Sequence, residues 1–370
     1  MNMRLCTLCV MDESDPQITF NIEGVCNHCL EAEKVMRNFI YKRHDSSELD
    51  ELFKVINKGS SKYDSLIGLS GGLDSTYVAM LAHKYQLNPL CVHFDNGWNS
   101  AVAVRNIKKI IDTTGWDYET IVINWPDFRS LQRAYLIAGV VDIEVCTDHA
   151  IFATMINLAK AEKIKYILSG TNFSTEHGMP ISWTWHKLDR INLIDINKKF
   201  GTKELKSYPT TSTISWLFMR KFGIGVKFLE PLNKINYKLE TAQKDVIAYF
   251  DWEDYGGKHH ESIFTKFYQN HILPTKFKVD KRKVHLSALI RSGQMSQEHA
   301  INELSIPLYS KGELKRDKEF VLKKLGFSDL EFDELMNSTP INHDFYQTDR
   351  LYIEPLLKLA SLLGIKGFYG

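Results

Sequence analysis

Ser70, Gly71, Gly72, Leu73, Asp74, Ser75 and Thr76 concentrate more chemistry than any other stretch of this chain. Two adjacent glycines let the backbone turn through positive φ and aim successive N–H groups at one point. With the N-terminal end of a helix dipole behind them, such donors make an anion site. Ser70, Ser75 and Thr76 add hydroxyl donors. Asp74 has two uses open to it, capping the helix or holding a magnesium ion beside phosphates. The stretch contains neither GxxxxGKS/T nor GxGxxG, so it is neither the ordinary nucleoside triphosphate loop nor a dinucleotide loop.

A second constellation is Cys6, Cys9, Cys26 and Cys29, arranged as CTLC and CNHC with sixteen residues between the pairs. Each CxxC sits on a tight knuckle, and four thiolates complete a tetrahedron, the pattern of a zinc ribbon. An iron–sulfur cluster uses the same four ligands, and two disulfides are a third reading, disfavoured in a cytoplasmic chain. Between the pairs, QITFNIEGVC reads as a strand ending at Gly24. His28 is expected outside the coordination shell, and a closed four-cysteine site supplies folding stability rather than catalysis.

The stretch YGGKHHES, residues 255–262, crowds two glycines, a lysine, two histidines, a glutamate and a serine into one loop. Either it is a solvated turn or it serves a ligand. Trp183, Trp185 and His186 alternate along an extended stretch, which suits core packing or stacking on a base or sugar. Cys146 to His149 precede a helix, with Asp148 placed to cap it. Cys146 is a possible reactive thiol; Cys91 lies among apolar residues and reads as a small core residue.

The elements that must position these residues are legible as well. Ser65 to Leu69 is a short apolar strand, and Val78, Leu81, Ala82 and Tyr85 recur at helical spacing after the glycine turn. Pro89 to Phe94 is a second strand ending in Asp95, Asn96 and Gly97, Tyr118 to Ile123 a third, and Lys165 to Leu168 a fourth ending in Gly170, Thr171 and Asn172. Helical patterns separate them, at Val102 to Ile111 and Ala150 to Ala161. This alternation predicts an α/β doubly wound parallel sheet, in which ligands sit beyond the carboxyl ends of the strands. Asp95 and Asn96 fit turn chemistry nearly as well as a binding role. Pro231 and Leu232 close a last strand, and Leu239 to Phe250 is an amphipathic helix. From His285 the chain reads as helices, with a break at Gly293, a restart at Ser296, a capping box at Ser328 to Glu331 and a last helix ending at Gly364.

At 370 residues, 44% hydrophobic and 25% charged, the chain has the composition of an ordinary globular protein with room for more than one domain. A net charge of +1 provides no broad basic field and argues against a nucleic-acid partner. No apolar run approaches the ~20 residues that span a bilayer, and MNMRLCTLC has no signal-peptide pattern, so a cytoplasmic protein with no membrane partner is expected.

SGGLDST, following an apolar strand, resembles the SGGxDS loop of the ATP pyrophosphatase (PP-loop) superfamily. Its members split ATP between the α and β phosphates and adenylate an oxygen of their substrate. The resemblance implies pyrophosphate binding by Ser70, Gly71, Gly72, Asp74, Ser75 and Thr76. It also implies adenosine near Asp95 and Asn96, and the nucleotide or the adenylated group near Gly170, Thr171 and Asn172. The four-cysteine ribbon, SGGLDST, YGGKHHESIFTKFYQ, LPTKFKVDKRKVHLSALIRSGQMS and the helical end together resemble the bacterial N-acetyl sugar amidotransferases of O-antigen and nonulosonic acid pathways. That implies three regions: a ribbon and connecting helix at 1–45, a PP-loop domain at 46–235, and a mainly helical substrate or partner region at 236–370.

The implied reaction turns the acetamido group of a nucleotide-activated N-acetyl sugar into an acetamidino group, using ATP, Mg²⁺ and ammonia. A structural Zn²⁺ is implied in the ribbon. Asp74 would share Mg²⁺ with the phosphates. Lys258, then Arg282 and Lys238, are the candidate cations for the α-phosphoryl transition state, and His259 or His260 the group that relieves the attacking nitrogen of a proton. Neither Cys91 nor Cys146 has a glutaminase setting, so the resemblance points to ammonia from a separate glutaminase pair resembling the subunits of imidazole glycerol phosphate synthase. The alternatives are a tRNA thiolase with a zinc ribbon, using Cys146 and the basic KFKVDKRK, and a non-enzymatic nucleotide sensor.

Overall fold

Five short parallel strands carry the loop at Ser70. They are β1 (Leu66–Gly68), β2 (Leu90–Asp95), β3 (Tyr118–Val122), β4 (Tyr166–Leu168) and β5 (Lys227–Leu229), in the order β3-β2-β1-β4-β5. The structure, a computed structural model, describes residues 3–39, 47–56, 62–222, 225–258 and 260–362. Leu66 lies opposite both Leu90 and Ile167, and Tyr166 opposite Lys227, all in parallel register. Because strand side chains alternate in direction, Ile67, Cys91 and Leu168 share one face while Leu66, Leu90, Val92 and Ile167 share the other. Both faces are covered, which explains why these strands are apolar throughout rather than alternating.

The helices are α1 (Asn27–Phe39), α2 (Ser47–Ile56), α3 (Leu73–Lys84), α4 (Ala101–Thr114), α5 (Trp125–Ala138), α6 (Val145–Ala161), α7 (Phe173–Glu176), α8 (Arg190–Phe200) and α9 (Thr213–Phe222). They continue as α10 (Leu239–Phe250), α11 (Ile263–Phe267), α12 (Arg282–Arg291), α13 (Gln297–Ser305), α14 (Lys311–Leu325), α15 (Asp329–Asn337) and α16 (Arg350–Leu362). Helices α2, α3, α4 and α10 cover the Ile67 face, and α6 lies on the Leu66 face through Met155 and Ala159. A π-helix at Tyr268–Phe277 follows α11 without a break and contains Pro274. Among the described residues, no helix is long and apolar enough to cross a membrane.

Several elements differ from the sequence expectation. QITFNIEGVC forms no strand, only an isolated bridge between Phe20 and Cys26 with Gly24 at φ +79°. Helix α6 begins at Val145, so Cys146 to His149 lie within its first turns and Asp148 is not its cap. The last strand ends at Leu229, and Pro231 starts a short 3₁₀ turn whose missing N–H costs nothing there. The capping boxes at Ser328 and, unexpected from sequence, Ser310 are both complete. Gly364 lies outside the described residues.

Two buried histidines contribute to the protein's sensitivity to acid. His149 Nδ1 donates to the Lys187 carbonyl (2.8 Å) while Nε2 accepts from Thr211 N (3.2 Å). His343 Nδ1 donates to Asn192 Oδ1 (2.9 Å) while Nε2 accepts from Asp142 N (3.4 Å). A neutral imidazole satisfies both partners and a protonated one cannot. Burial accordingly lowers His149 to about 4 and His343 to about 3. With pKa values depressed in the folded state, the unfolded chain takes up protons first, and stability falls as pH drops below ~6.5. His343→Gln is expected to flatten that fall by up to ~1.4 kcal/mol per pH unit between pH 6 and 4, read from urea midpoints. An unchanged slope would contradict the assignment.

Candidate active site

The loop occupies the point where the sheet's connections diverge, β1 running to β2 on one side and pairing with β4 on the other. Crevices of this kind are where open α/β sheets bind ligands. Gly71 has φ +77°, and a Cβ there would stand 2.4 Å from the carbonyl oxygen of Ala103 on α4, so no other residue fits. Helix α3 starts after Gly72 with no side-chain cap. Instead Gly72 N donates to Ser70 Oγ (3.1 Å) and Leu73 N to Tyr255 Oη (3.3 Å). Those weak hydroxyl partners are ones an oxyanion can replace. Ser75 Oγ and Thr76 Oγ1 donate to the Gly72 carbonyl at 3.1 and 2.7 Å, which braces the turn.

Asp74 is the meeting point of three separated stretches. Tyr237 Oη donates to Asp74 Oδ1 (2.5 Å), and Asn172 Nδ2 reaches the same oxygen at 3.4 Å. Gly170 passes so close that a Cβ would lie 3.0–3.1 Å from Asp74 and the Ser75 nitrogen. Lys258 Nζ stands 3.7 Å from Asp74 Oδ2 and 3.0 Å from Glu176 Oε1, and donates to Thr175 Oγ1 at 3.0 Å. Burial, then the Asp74 charge, pushes the Tyr237 hydroxyl far above its ordinary value, so it acts as a fixed donor. Burial and Glu261 do the same for Tyr255.

A cavity of about 610 Å³ opens from Leu73 and Asp74. Its walls include Tyr255, Lys258, His260, Lys281 and His285. Lys281 forms no ion pair among the described residues and rests 5.6 Å from the Tyr268 ring centre. Arg282 also reaches this wall, but its guanidinium is bound to Asp280 (2.7 Å) and to the carbonyls of Glu303, Leu304 and Ile306. It clasps the α12–α13 junction. Lys238 stands at the start of α10 and is not among the cavity walls. His259 lies outside the described residues.

The structure thus brings Ser70 to Thr76, Gly170 and Asn172 together, while Thr171 Oγ1 turns to Ser169 Oγ (2.9 Å). Asp95 and Asn96 serve a turn: Asp95 Oδ1 accepts from Gly97 N and Asn99 Nδ2, and Asn96 Oδ1 from Trp98 N. Tyr237, Glu176, Thr175 and Lys281 are not singled out by sequence. Nothing in KINYKLE marks Tyr237. Tyr255, directly before the Gly256–Gly257 pair, was discoverable. Trp185 stacks on His343 (4.7 Å, 7°) with Arg350 4.5 Å from its ring centre, which is packing rather than an open stacking surface.

Cys6, Cys9, Cys26 and Cys29 are buried with all four sulfurs within 4.8 Å of one another. Cys6–Cys29 and Cys9–Cys26 sulfurs are 4.0 and 3.8 Å apart. One tetrahedral ion with ~2.3 Å bonds separates its sulfurs by about 3.8 Å. A four-iron cluster seats each thiolate on a different iron and spreads them wider. Backbone N–H groups of Leu8, Met11 and Cys26 point at the sulfurs, as thiolate ligands require. His28 pairs instead with Asp15 (2.7 Å). The ribbon is stitched to the cavity wall: Gln297 donates to the Cys6 and Cys9 carbonyls (both 2.9 Å), Val10 N to Ser287 Oγ, and Lys283 to Asp12.

Loop, sheet and crevice define the class as a PP-loop protein. Residues 47–181 match a family model described as NAD synthase, and residues 261–359 match one described as LPS biosynthesis protein WbpG-like, C-terminal domain. Residues 47–181 thus carry a PP-loop domain of NAD synthase-like fold, and residues 261–359 are similar to the C-terminal domain of a WbpG-like lipopolysaccharide-biosynthesis protein. The uncharacterized protein MJ1599 of Methanocaldococcus jannaschii is 26% identical over 214 residues, 57% of this chain and 73% of that protein. Among solved structures, the NMN synthetase of Francisella tularensis is 13% identical, covering 76% of this chain and 98% of that one at a TM-score of 0.36. The NH₃-dependent NAD synthetase of Campylobacter jejuni is 13% identical, covering 50% and 82%, with a TM-score of 0.29.

Proposed function

We propose that this protein is an ATP-dependent, AMP-forming amidotransferase acting on a nucleotide-activated N-acetyl sugar. The observation that carries this reading is that the Asp74 loop and the C-terminal residues Lys258, His260, Lys281 and His285 line one cavity. A phosphate-splitting loop faces a space to which the WbpG-like region contributes Lys281 and His285, with Lys258 and His260 just before that region between them.

An amide carbon is a poor electrophile, and its oxygen is a hopeless leaving group. In the proposed reaction the acetamido oxygen attacks the α-phosphorus of ATP, and the bond to the β-phosphate oxygen breaks to release pyrophosphate. Ammonia then adds to the imidate carbon and AMP leaves with the original carbonyl oxygen. The amidinium carries one hydrogen fewer on nitrogen than the amide and ammonia together, so the incoming nitrogen gives up one proton before AMP leaves, and His260 is placed to take it. Gly72 and Leu73 N–H groups receive pyrophosphate oxygens, and Lys258 neutralises charge at the α-phosphoryl group. Asp74, with Tyr237 and Asn172 holding one oxygen, keeps the other toward the cavity, where Mg²⁺ would offset phosphate charge. The four-cysteine ribbon holds Zn²⁺ and braces α12.

Ammonia comes from a separate glutaminase. Cys91 and Cys146 are fully buried; burial raises Cys91 to about 12 and Cys146 well above its ordinary value. The same burial speaks against a tRNA thiolase, since Cys146 donates to the Ile143 carbonyl (2.9 Å) inside the core. The test is incubation with ATP, Mg²⁺, ammonium and a panel of nucleotide-linked acetamido sugars carrying ¹⁸O in the acetyl group. Label in AMP is the expected result; ADP formation, or AMP without label, would overturn the reading.

A further inference from the structure

A second cavity of about 410 Å³ takes part of its wall from residues next in sequence to those of the first. Trp183, Thr184, Phe277 and Val279 line it, while Asp280 and Lys281 line the main cavity. One short segment, residues 277–281, is therefore a partition between the two spaces. The π-helix feeding it has the same double aspect, with Gln269 and Asn270 on the main cavity and Phe277 on the second. π-Helical turns of this kind cluster at functional sites.

Asp142, 1% exposed, is held by Thr184 and Trp185 of the second cavity and feels the charge of Lys281 of the first. Its Oδ2 accepts from Thr184 Oγ1 (2.8 Å), Trp185 N (2.8 Å) and Lys187 Nζ (2.6 Å). Burial opposes its charge, but Lys187 and then Lys281 hold it ionised, at about 2. Its Oδ1 is buried without a partner, and so is the indole Nε1 of Trp183. A buried acceptor and a buried donor both left unmet are costly unless a small molecule serves them. The Trp185 ring is already covered by His343 and Arg350, so the space offers no open platform for a nucleotide base.

If ATP and the acceptor sugar fill the main cavity, ammonia needs another way in. We propose that the second cavity is the ammonia entrance, and that the partition at Val279 and Lys281 is its passage to the adenylated sugar. Ammonia offers hydrogens to Asp142 Oδ1 and a lone pair to Trp183 Nε1–H, and it is no larger than water. This inference rests on the amidotransferase reading above.

The full chain is tested with ammonium chloride as the nitrogen source, measuring KM for ammonium beside KM for ATP. Val279→Trp is expected to raise the ammonium KM at least tenfold and leave the ATP KM within twofold; Val279→Ala is expected to leave both within twofold. Asp142→Asn, which keeps the side chain's shape, is expected to raise the ammonium KM at least threefold and serves the test should Val279→Trp not fold. An ammonium KM unchanged in the bulky variant, or both KM values rising together, overturns the passage, and water alone then meets the two atoms. If the wild-type chain forms no AMP with ammonium and any acetamido sugar nucleotide, the amidotransferase reading itself has failed and the passage falls with it.

Discussion

Asp74→Asn is expected to cut AMP formation by about 10³-fold or more without unfolding the protein. The substitution keeps an oxygen for Tyr237 and Asn172, the two donors at Asp74 Oδ1, and removes only the charge. If Asp74 merely anchored α3, the amide would serve as well, because the helix start has no side-chain cap to lose. Lys258→Gln should cost roughly 10²–10³-fold for the complementary reason, loss of the cation aimed at developing phosphoryl charge. AMP and pyrophosphate release at saturating ATP are the measurement, with far-ultraviolet circular dichroism to establish folding. Asp74→Asn activity within tenfold of the parent would remove Asp74 from the reaction.

With zinc in the four-cysteine site as proposed, stripping it should produce the largest change in stability. Four thiolates crowded in a buried shell repel one another without a cation, and structural metal sites couple their binding energy to folding. Dialysis against a strong chelator, or Cys26→Ser, is expected to lower the melting temperature by at least ~10 °C, several kcal/mol for a chain of this size. Activity should fall as well, because Gln297, Ser287 and Lys283 bind the ribbon from α12 and α13, and α12 supplies Arg282 and His285 to the cavity wall. One equivalent of zinc restoring both properties would separate this role from general damage. A chelated protein with unchanged melting would show the cysteines to be spectators.

Local patterns make much of this legible without the fold. The SGGLDST turn, the apolar strands β1, β2 and β4, the helix from Leu239 to Phe250 and the restart at Ser296 all depend on residues close together in sequence. Gly71 and Gly170 are placed by the rule that parallel sheets gather their strand ends, and the Asp74 contact with Gly170 follows from that rule. Tyr237 and Glu176 are not legible, because each reaches the site from a stretch with no motif of its own, and Lys281 cannot be told from the other cations of KFKVDKRK until tertiary packing is known. Arg282 misleads for a related reason: its sequence neighbourhood shows a cation, but not the carbonyl groups at Glu303 to Ile306 that occupy it. The ribbon strand fails because QITFNIEGVC lacks a partner long enough to sustain a ladder.

The stitching of the ribbon to α13 has a temporal side. Gln297 joins carbonyls 291 and 288 residues earlier in the chain, so the knuckles at Cys6 and Cys9 leave the ribosome long before their support exists. At ~5–20 residues per second the interval is about 15–60 s. With zinc in the proposed site, the metal rather than the neighbouring helices would keep this segment from straying during translation, and a nascent chain starved of zinc would present its first thirty residues to proteases and oxidants before the last third had been made.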